Sequence, residues 1–469
     1  MLNKPSIYDE FTYKGSWWLP GFEDRKVSGI LKYSNTGIVL ELFGSFNGIN
    51  FVDRAQEKDT YQIVLGDCYE GKVTLIDCIV TNQQAKHFLE EDRQQCLTSI
   101  LIQTVIMGMH SVSKETIKFS KLQVHFSNLE VWLRYSPFKS TSEPIGIVLK
   151  DIETFEAYLE EMELKISSTY TIGNRSEMYE HEGLEYKPFI VFESTTPQNL
   201  KWFNEVIWKF RNFLCVLTDS NIFVESIASP RVGLSIEVNI YPYPLPNYRD
   251  IKLQRFNSFM VGIQEIQVNI ETILKKWYTT NINSSILMFV NTISRDNLLL
   301  EDKFLSYSKA IESAHRENTS VPSKFIDDFK YKELVDKMLL AVKDDIDSDL
   351  KNKLQSTLKY ANEFGFQRRI KEVLKNIPEE LQPFILLGLS ISKFADRIRI
   401  NRDYYTHFGD YSDFLFEPRQ LIYTNKSLKL IVLWMIFDEI GISNEVLIRA
   451  LEEDYFWLST LKKGKELFK

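Results

Sequence analysis

Three prolines at alternate positions in YPYPLPNYRD, from Tyr241 to Asp250, divide this chain into two parts that obey different periodicities. Each proline removes a backbone donor and fixes φ, so the stretch fits neither a helix interior nor a central sheet ladder. Upstream, apolar residues alternate with polar ones; downstream they recur every three or four positions. A chain that changes period at a proline stretch builds two cores of different kind. The expected fold is α+β and multidomain: a β-rich half over 1–245, with a softer break near 136–146 that would split it into two subdomains, and an α-helical region over 251–469. At 469 residues, each half has the length for an apolar interior of its own.

In SGILKYSNTGIVLELFGSF, the residues Asn35, Thr36 and Gly37 read as a hairpin turn between two alternating segments. Further strands are expected at YQIVLGDC, GKVTLIDCIV, SILIQTVIMG, TIKFSKLQVHF, LEVWLRY, IGIVLKD, KISSTYTIG and YKPFIVFES, all rich in β-branched or aromatic residues. At least one helix interrupts them, in QNLKWFNEVIWKFRNFLCVL. Trp17 and Trp18 read as core anchors of the β-rich half. Beyond the prolines, FMVGIQEIQVNIETILKKWY, LEDKFLSYSKAIESAHR, YKELVDKMLLAVK, QSTLKYANEFG, FILLGLSISKFADRIRI and LKLIVLWMIFDEIG all carry the helical spacing of an all-α bundle.

Composition excludes several classes of function. A net charge of −8 argues against non-specific nucleic-acid binding by the whole surface. Two local basic stretches remain, RRIKEVLK (Arg368 to Lys375) and RIRINR (Arg397 to Arg402), and the first reads equally as a solvated helix face. Cys68, Cys78, Cys96 and Cys215 form no CxxC pair and have no histidine at metal-ligand spacing, so no metal is expected. The opening MLNKPSIYDEFTYKG lacks a basic-then-apolar leader, and no window is long and apolar enough to span a membrane, so a cytoplasmic protein is expected.

The stretch that invites chemistry is INRDYYTHFGD, where Arg402 and His407 stand five positions apart with Asp403 beside the arginine. An arginine followed loosely by a histidine arises by chance in a chain of this composition; Arg175 and His181, in RSEMYEH, satisfy the same loose spacing. The tighter pattern, Arg, then Asn, Asp or His, then three residues and His, is met by RDYYTH and not by the decoy, whose second residue is Ser176.

That pattern, late in an all-α region, resembles the HEPN family. The front of the chain adds a second resemblance: YKGSWWLPG, SGILKYSNTGIVLELFGSF, GKVTLIDC and FSKLQVHFSNLEVWL are similar to the β-rich N-terminal domain of ApeA-type HEPN proteins. One departure is Asp403, where asparagine is the commonest family choice. The resemblance implies a HEPN domain at about 285–465 and a ribonuclease of bacterial anti-phage defence that needs no cofactor. It also implies an RNA substrate, tRNA being one candidate, a homodimer or higher oligomer through the bundle, a phage-derived trigger, and a β-rich half that senses infection or restrains the nuclease.

The side chains suit such chemistry. RNA cleavage at a 2′-hydroxyl needs a base, an acid and positive charge on the phosphate; His407 can move protons near neutral pH, and the planar fork of Arg402 suits a phosphate. Asp403, one turn before His407, could orient its imidazole, and Arg399 could pair with Asp403. Tyr404, Tyr405 and Arg397 are candidate RNA contacts, although a buried bundle aromatic is the better reading for at least one of the tyrosines. Asn401 could meet the phosphate or be an ordinary polar helix position. The resemblance places an acid of an earlier helix near the motif, so Glu312 is the candidate anchor of Arg402; on spacing alone, Glu312 and His315 read as structural positions. Two other functions fit the same residues: a non-catalytic RNA-binding adaptor with this fold, and a small-ligand or carbohydrate-binding β-domain on a dimerisation bundle.

Overall fold

The computed structural model describes residues 5–46, 60–88, 93–143, 145–177, 181–230, 237–244, 260–295, 297–318, 322–343, 345–408 and 413–468. Much of the stretch that follows the prolines, 245–259, lies outside the described residues. The chain divides into two compact units, one of Met1–Arg211 with Ile222–Gln254, the other of Asn212–Asn221 with Arg255–Lys469.

The first unit is a sheet of twelve antiparallel strands among the described residues. Its front half comprises β1 (Phe11–Trp18), β2 (Val27–Ser34), β3 (Gly37–Leu42), β4 (Thr60–Cys68), β5 (Gly71–Phe88) and β6 (Arg93–Met107). These run in the order β6-β3-β2-β1-β4-β5, and β5 pairs again with β6, which closes a six-stranded barrel. Closure satisfies every ladder of the ring and leaves it without a free edge. The β2–β3 turn falls at Asn35 and Thr36, with Ser34 opposite Gly37.

Trp17 is wholly buried in β1, with Gly66 of β4 as its cross-strand partner. A Cβ at Gly66 would lie 2.3 Å from the Trp17 ring, so the glycine is what lets the indole lie flat on its neighbour strand. Trp18 is also buried, with the Lys26 ammonium 4.0 Å from its ring. Both tryptophans are core residues, as their setting in the sequence suggests.

The sheet continues from β6 into β14 (Val238–Pro242), β13 (Val224–Ser229), β7 (Lys118–Phe126), β12 (His181–Asn199), β11 (Leu164–Glu177) and β10 (Glu156–Leu159). The first of the alternate prolines thus ends the last strand, where Pro242 pairs with Thr104. The 136–146 stretch belongs to the first unit. It carries a small ribbon of β8 (Phe138–Ser142) and β9 (Ile145–Leu149) within one unit.

LEVWLRY, expected as a strand, is instead the short helix α1 (Leu129–Leu133). Its buried residues Leu129, Trp132 and Leu133 are three and four apart, and Asn128 and Arg134, both left-handed, end it on either side. The helix α2 (Leu200–Thr218) lays Phe210 against Phe126, Phe192 and Trp132.

The last turns of α2 group with the second unit, which a boundary at the prolines does not anticipate. The cause is apolar contact: Phe213 meets Trp277, with ring centroids 5.3 Å apart. The rest of that unit is helical, with α3 (Ile263–Ile266), α4 (Ile270–Thr279), α5 (Asn283–Ile293), α6 (Leu300–Glu317), α7 (Asp328–Ala341), α8 (Ser348–Ala361) and α9 (Phe366–Asn376). Then come α10 (Gln382–Ile385), α11 (Ile391–His407), α12 (Pro418–Ile440), α13 (Asn444–Glu453) and α14 (Tyr455–Leu467).

Helix α6 packs against α5, α9, α11 and α12, which makes it the centre of the bundle. Helices α7 and α8 bury no residue and expose Phe329, Leu334, Met338, Leu340 and Leu350. The expected single helix through FILLGLSISKFADRIRI is broken. Leu387 and Gly388 both take positive φ after α10, and Ser390 then caps α11 by accepting from the Lys393 N–H. Gly441 ends α12 in the left-handed region, as its place after an apolar run suggests.

The Trp17–Gly66 contact is open to test. Gly66→Ala should destabilise the protein by about 1–3 kcal/mol through overpacking. Gly173→Ala, where an added Cβ meets nothing within 4 Å, should leave the melting temperature unchanged. Thermal unfolding followed by circular dichroism distinguishes the two.

Candidate active site

Helix α11 carries the whole motif: it runs unbroken to His407, and Phe408, with φ 48°, closes it by donating its N–H to the Tyr404 carbonyl. Five residues at about 100° each place Arg402 and His407 roughly 140° apart around the helix. His407 stands exposed at the helix end. Arg402 turns inward toward α6 and α9.

There its guanidinium meets the Glu312 carboxylate at 3.5 Å and the Asp403 carboxylate at 3.4 Å, and lies 4.9 Å from the Phe366 ring centroid. At 34% exposure the Arg402 side chain is still within reach of an incoming phosphate. Glu312 follows the buried Ala310 and Ile311 on α6, and it also accepts from Arg316 at 3.2 Å. The structure therefore brings Arg402 and Glu312 together.

The other candidates divide. Asp403 is engaged by arginines, Arg399 at 3.2 Å on one oxygen and Arg402 on the other. Asn401 is wholly buried and does not face a phosphate. Its amide donates to the Arg397 and Phe414 carbonyls, and its oxygen accepts from the Phe416 N–H at 2.7 Å, which pins the segment after the motif back onto α11. Arg397 stacks between Phe416 and Phe468, at 5.7 and 5.3 Å. Tyr405 packs edge-on against Phe304, and burial, with Glu301 and Tyr404 adding, raises its pKa. Tyr404 meets Tyr405 and the exposed Phe408. The side chains of the decoy pair, Arg175 and His181, lie outside the described residues.

Arg369 is the residue that motif reasoning missed. It lies wholly buried on α9, donates to the Phe364 carbonyl at 2.8 Å, reaches Glu363 at 3.2 Å and sits 3.3 Å from His315 Nδ1. Its signal was in the sequence: Phe366, Arg369, Ile370, Val373 and Leu374 form one helical stripe, and a lone arginine on an apolar stripe demands internal partners. Its neighbour Arg368 instead stacks on Phe364, 3.9 Å from the ring centroid. The basic stretch RRIKEVLK is thus neither a simple solvated face nor a uniform phosphate site. Among the described residues, no three His, Cys, Asp or Glu side chains gather as a metal site, and no helix is long and apolar enough to cross a membrane.

Two family models match in sequence order, ApeA N-terminal domain 1 over residues 12–277 and Apea-like HEPN over residues 305–446. No curated protein and no solved structure matches the chain significantly. The second match begins within α6 and takes in α9, α11 and α12, the helices that position Arg402, Glu312 and His407. Because the first match alone covers more than half of the chain, the chain belongs to the ApeA family, with an ApeA N-terminal domain followed by an Apea-like HEPN domain.

Proposed function

We propose that this protein is an endoribonuclease of anti-phage defence, cleaving RNA by attack of a 2′-hydroxyl on the adjacent phosphate, with Arg402 and His407 as its catalytic residues. The observation that carries the reading is Arg402, anchored by Glu312 yet reachable from solvent, on the same helix as an exposed His407. In the reaction the 2′-hydroxyl loses its proton, its oxygen bonds to phosphorus, and the 5′-oxygen leaves with a proton. The products are a 2′,3′-cyclic phosphate and a 5′-hydroxyl. Arg402 offers its fork to the phosphate as charge builds, and His407 moves a proton.

One histidine per chain serves two proton transfers poorly, and Arg402 and His407 diverge on a straight helix. Pairing of two copies around a two-fold axis would supply a base, an acid and two guanidinium groups at one site. The exposed apolar residues of α7 and α8 are a surface that such pairing could cover. In this reading the N-terminal unit restrains the nuclease until a phage-derived trigger acts, and tRNA is a candidate substrate.

Incubating the intact protein with total RNA in EDTA, with and without phage lysate, tests the chemistry. Cleavage should persist in EDTA and leave 2′,3′-cyclic phosphate ends; loss in EDTA, or 5′-phosphate ends, would contradict the mechanism. His407→Ala should lower cleavage by at least about a hundredfold with an unchanged melting temperature, and Arg402→Lys should also lose most activity because an ammonium lacks the planar fork. RNA binding that survives His407→Ala, with no cleavage by the wild type, would favour the adaptor reading. Asn401→Ala should instead destabilise the fold by roughly 1–3 kcal/mol, since it strands buried backbone groups near Phe416.

A further inference from the structure

Glu312 serves two arginines. Its Oε2 lies 3.5 Å from Arg402, and its Oε1 accepts at 3.2 Å from Arg316, one turn further along α6. The Glu312 side chain is 19% exposed and that of Arg316 is 57% exposed, so the pair is anchored at its acid end and open at its guanidinium end. On the other side Arg316 Nε stands 3.8 Å from Glu363, beyond hydrogen-bond reach, and Glu363 already accepts from the buried Arg369. A guanidinium carries five donors in a planar fork, so the exposed Arg316 keeps hydrogen-bonding capacity beyond its contact with Glu312.

The ion pairs run on from Arg402 to Asp403 and from Asp403 to Arg399. From end to end this network joins four guanidinium groups to three carboxylates, which leaves one positive charge unbalanced. The excess stands on a chain whose net charge is −8, so it attracts an anion locally where the surface as a whole repels one. As a stabilising contact the Glu312–Arg316 pair contributes little, because water screens an exposed pair one helical turn apart. What it does supply is a second guanidinium held beside the first. A single anion at Arg402 would leave the Arg316 fork unfilled, whereas a strand carries a phosphate for each.

We propose that Arg316 is a second phosphate-binding residue, taking the phosphate next along the RNA strand to the one held by Arg402. The proposal rests on the reading of Arg402 as the contact to the scissile phosphate. Arg316 holds the strand and takes no part in proton transfer, so on cleavable RNA Arg316→Gln should raise KM at unchanged kcat. A phosphate contact reads no base, so the loss is the same for every sequence.

Short 2′-O-methyl oligonucleotides, which lack the attacking hydroxyl, test it by their binding to the intact protein over a range of salt concentrations. One phosphate contact on a single strand accounts for about 0.7 in the slope of log K against log salt. Arg316→Gln should lose that much slope and weaken adenine-, cytosine- and uracil-rich strands several-fold alike. Lys275→Gln, which breaks an ion pair of the same spacing on α4, should keep the wild-type slope. Should Arg316→Gln fold poorly, phenylglyoxal labelling of the wild type gives the answer instead: bound strand should protect Arg316 from modification. An unchanged slope in Arg316→Gln, a loss confined to one base, an Arg316 that stays fully reactive in the complex, or a wild type that binds no strand would overturn the proposal. Binding is read without cleavage. A wild type that binds and never cuts contradicts the ribonuclease reading alone, and a cleaving enzyme whose salt slope ignores Arg316 contradicts this proposal alone.

Discussion

The helical unit depends on one requirement: the charges that face its centre must be paired. Arg369 is wholly buried, and removing one partner from a buried ion pair costs about 3–5 kcal/mol. Glu363 and the Phe364 carbonyl meet that need on its own side, and His315 meets it from α6. From Glu363 the series continues through Arg316, at 3.8 Å, to Glu312 and on to Arg402. The arginine that faces solvent is therefore the outer end of a row of charges whose inner end is core. The packing of α6, α9 and α11 around that row fixes where the guanidinium of Arg402 sits, with Phe366 of α9 beneath it. Chemistry that needs a guanidinium held to within fractions of an ångström gains from such support.

What could be read from the sequence follows from how local each cause is. Strand alternation and the Asn35–Thr36 turn are local, and they appear where the pattern puts them. Barrel closure through β5 and β6 is not local, and no alternation reveals it. LEVWLRY misled because aromatic and β-branched residues favour strands on average, whereas here the spacing of Leu129, Trp132 and Leu133 decides. The break before α11 was visible as Gly388 and a capping serine, but the surrounding apolar run masked it.

The candidate site shows the same division. Arg402 and His407 stand out by their spacing, while the link to Glu312, 90 residues earlier, came from family resemblance and not from any pattern in this chain. Asp403 and His407 are one turn apart, which suggested a pair, yet each Asp403 oxygen is met by an arginine. Charge-assisted hydrogen bonds from guanidinium groups are the strong ones a carboxylate can accept. Asn401 illustrates how a polar residue amid basic neighbours can serve the backbone alone.

We propose that each catalytic centre takes His407 from two chains. Titrating a His407→Ala chain into wild type, with time for subunits to exchange, tests it most directly. If both histidines are needed, only wild-type pairs cleave, and an equal mixture keeps about a quarter of the activity expected from its total protein under random two-fold pairing. If each chain acts with its own histidine, the same mixture keeps about a half, and activity falls linearly with the wild-type fraction. The squared dependence is the predicted result, and the linear one would contradict it.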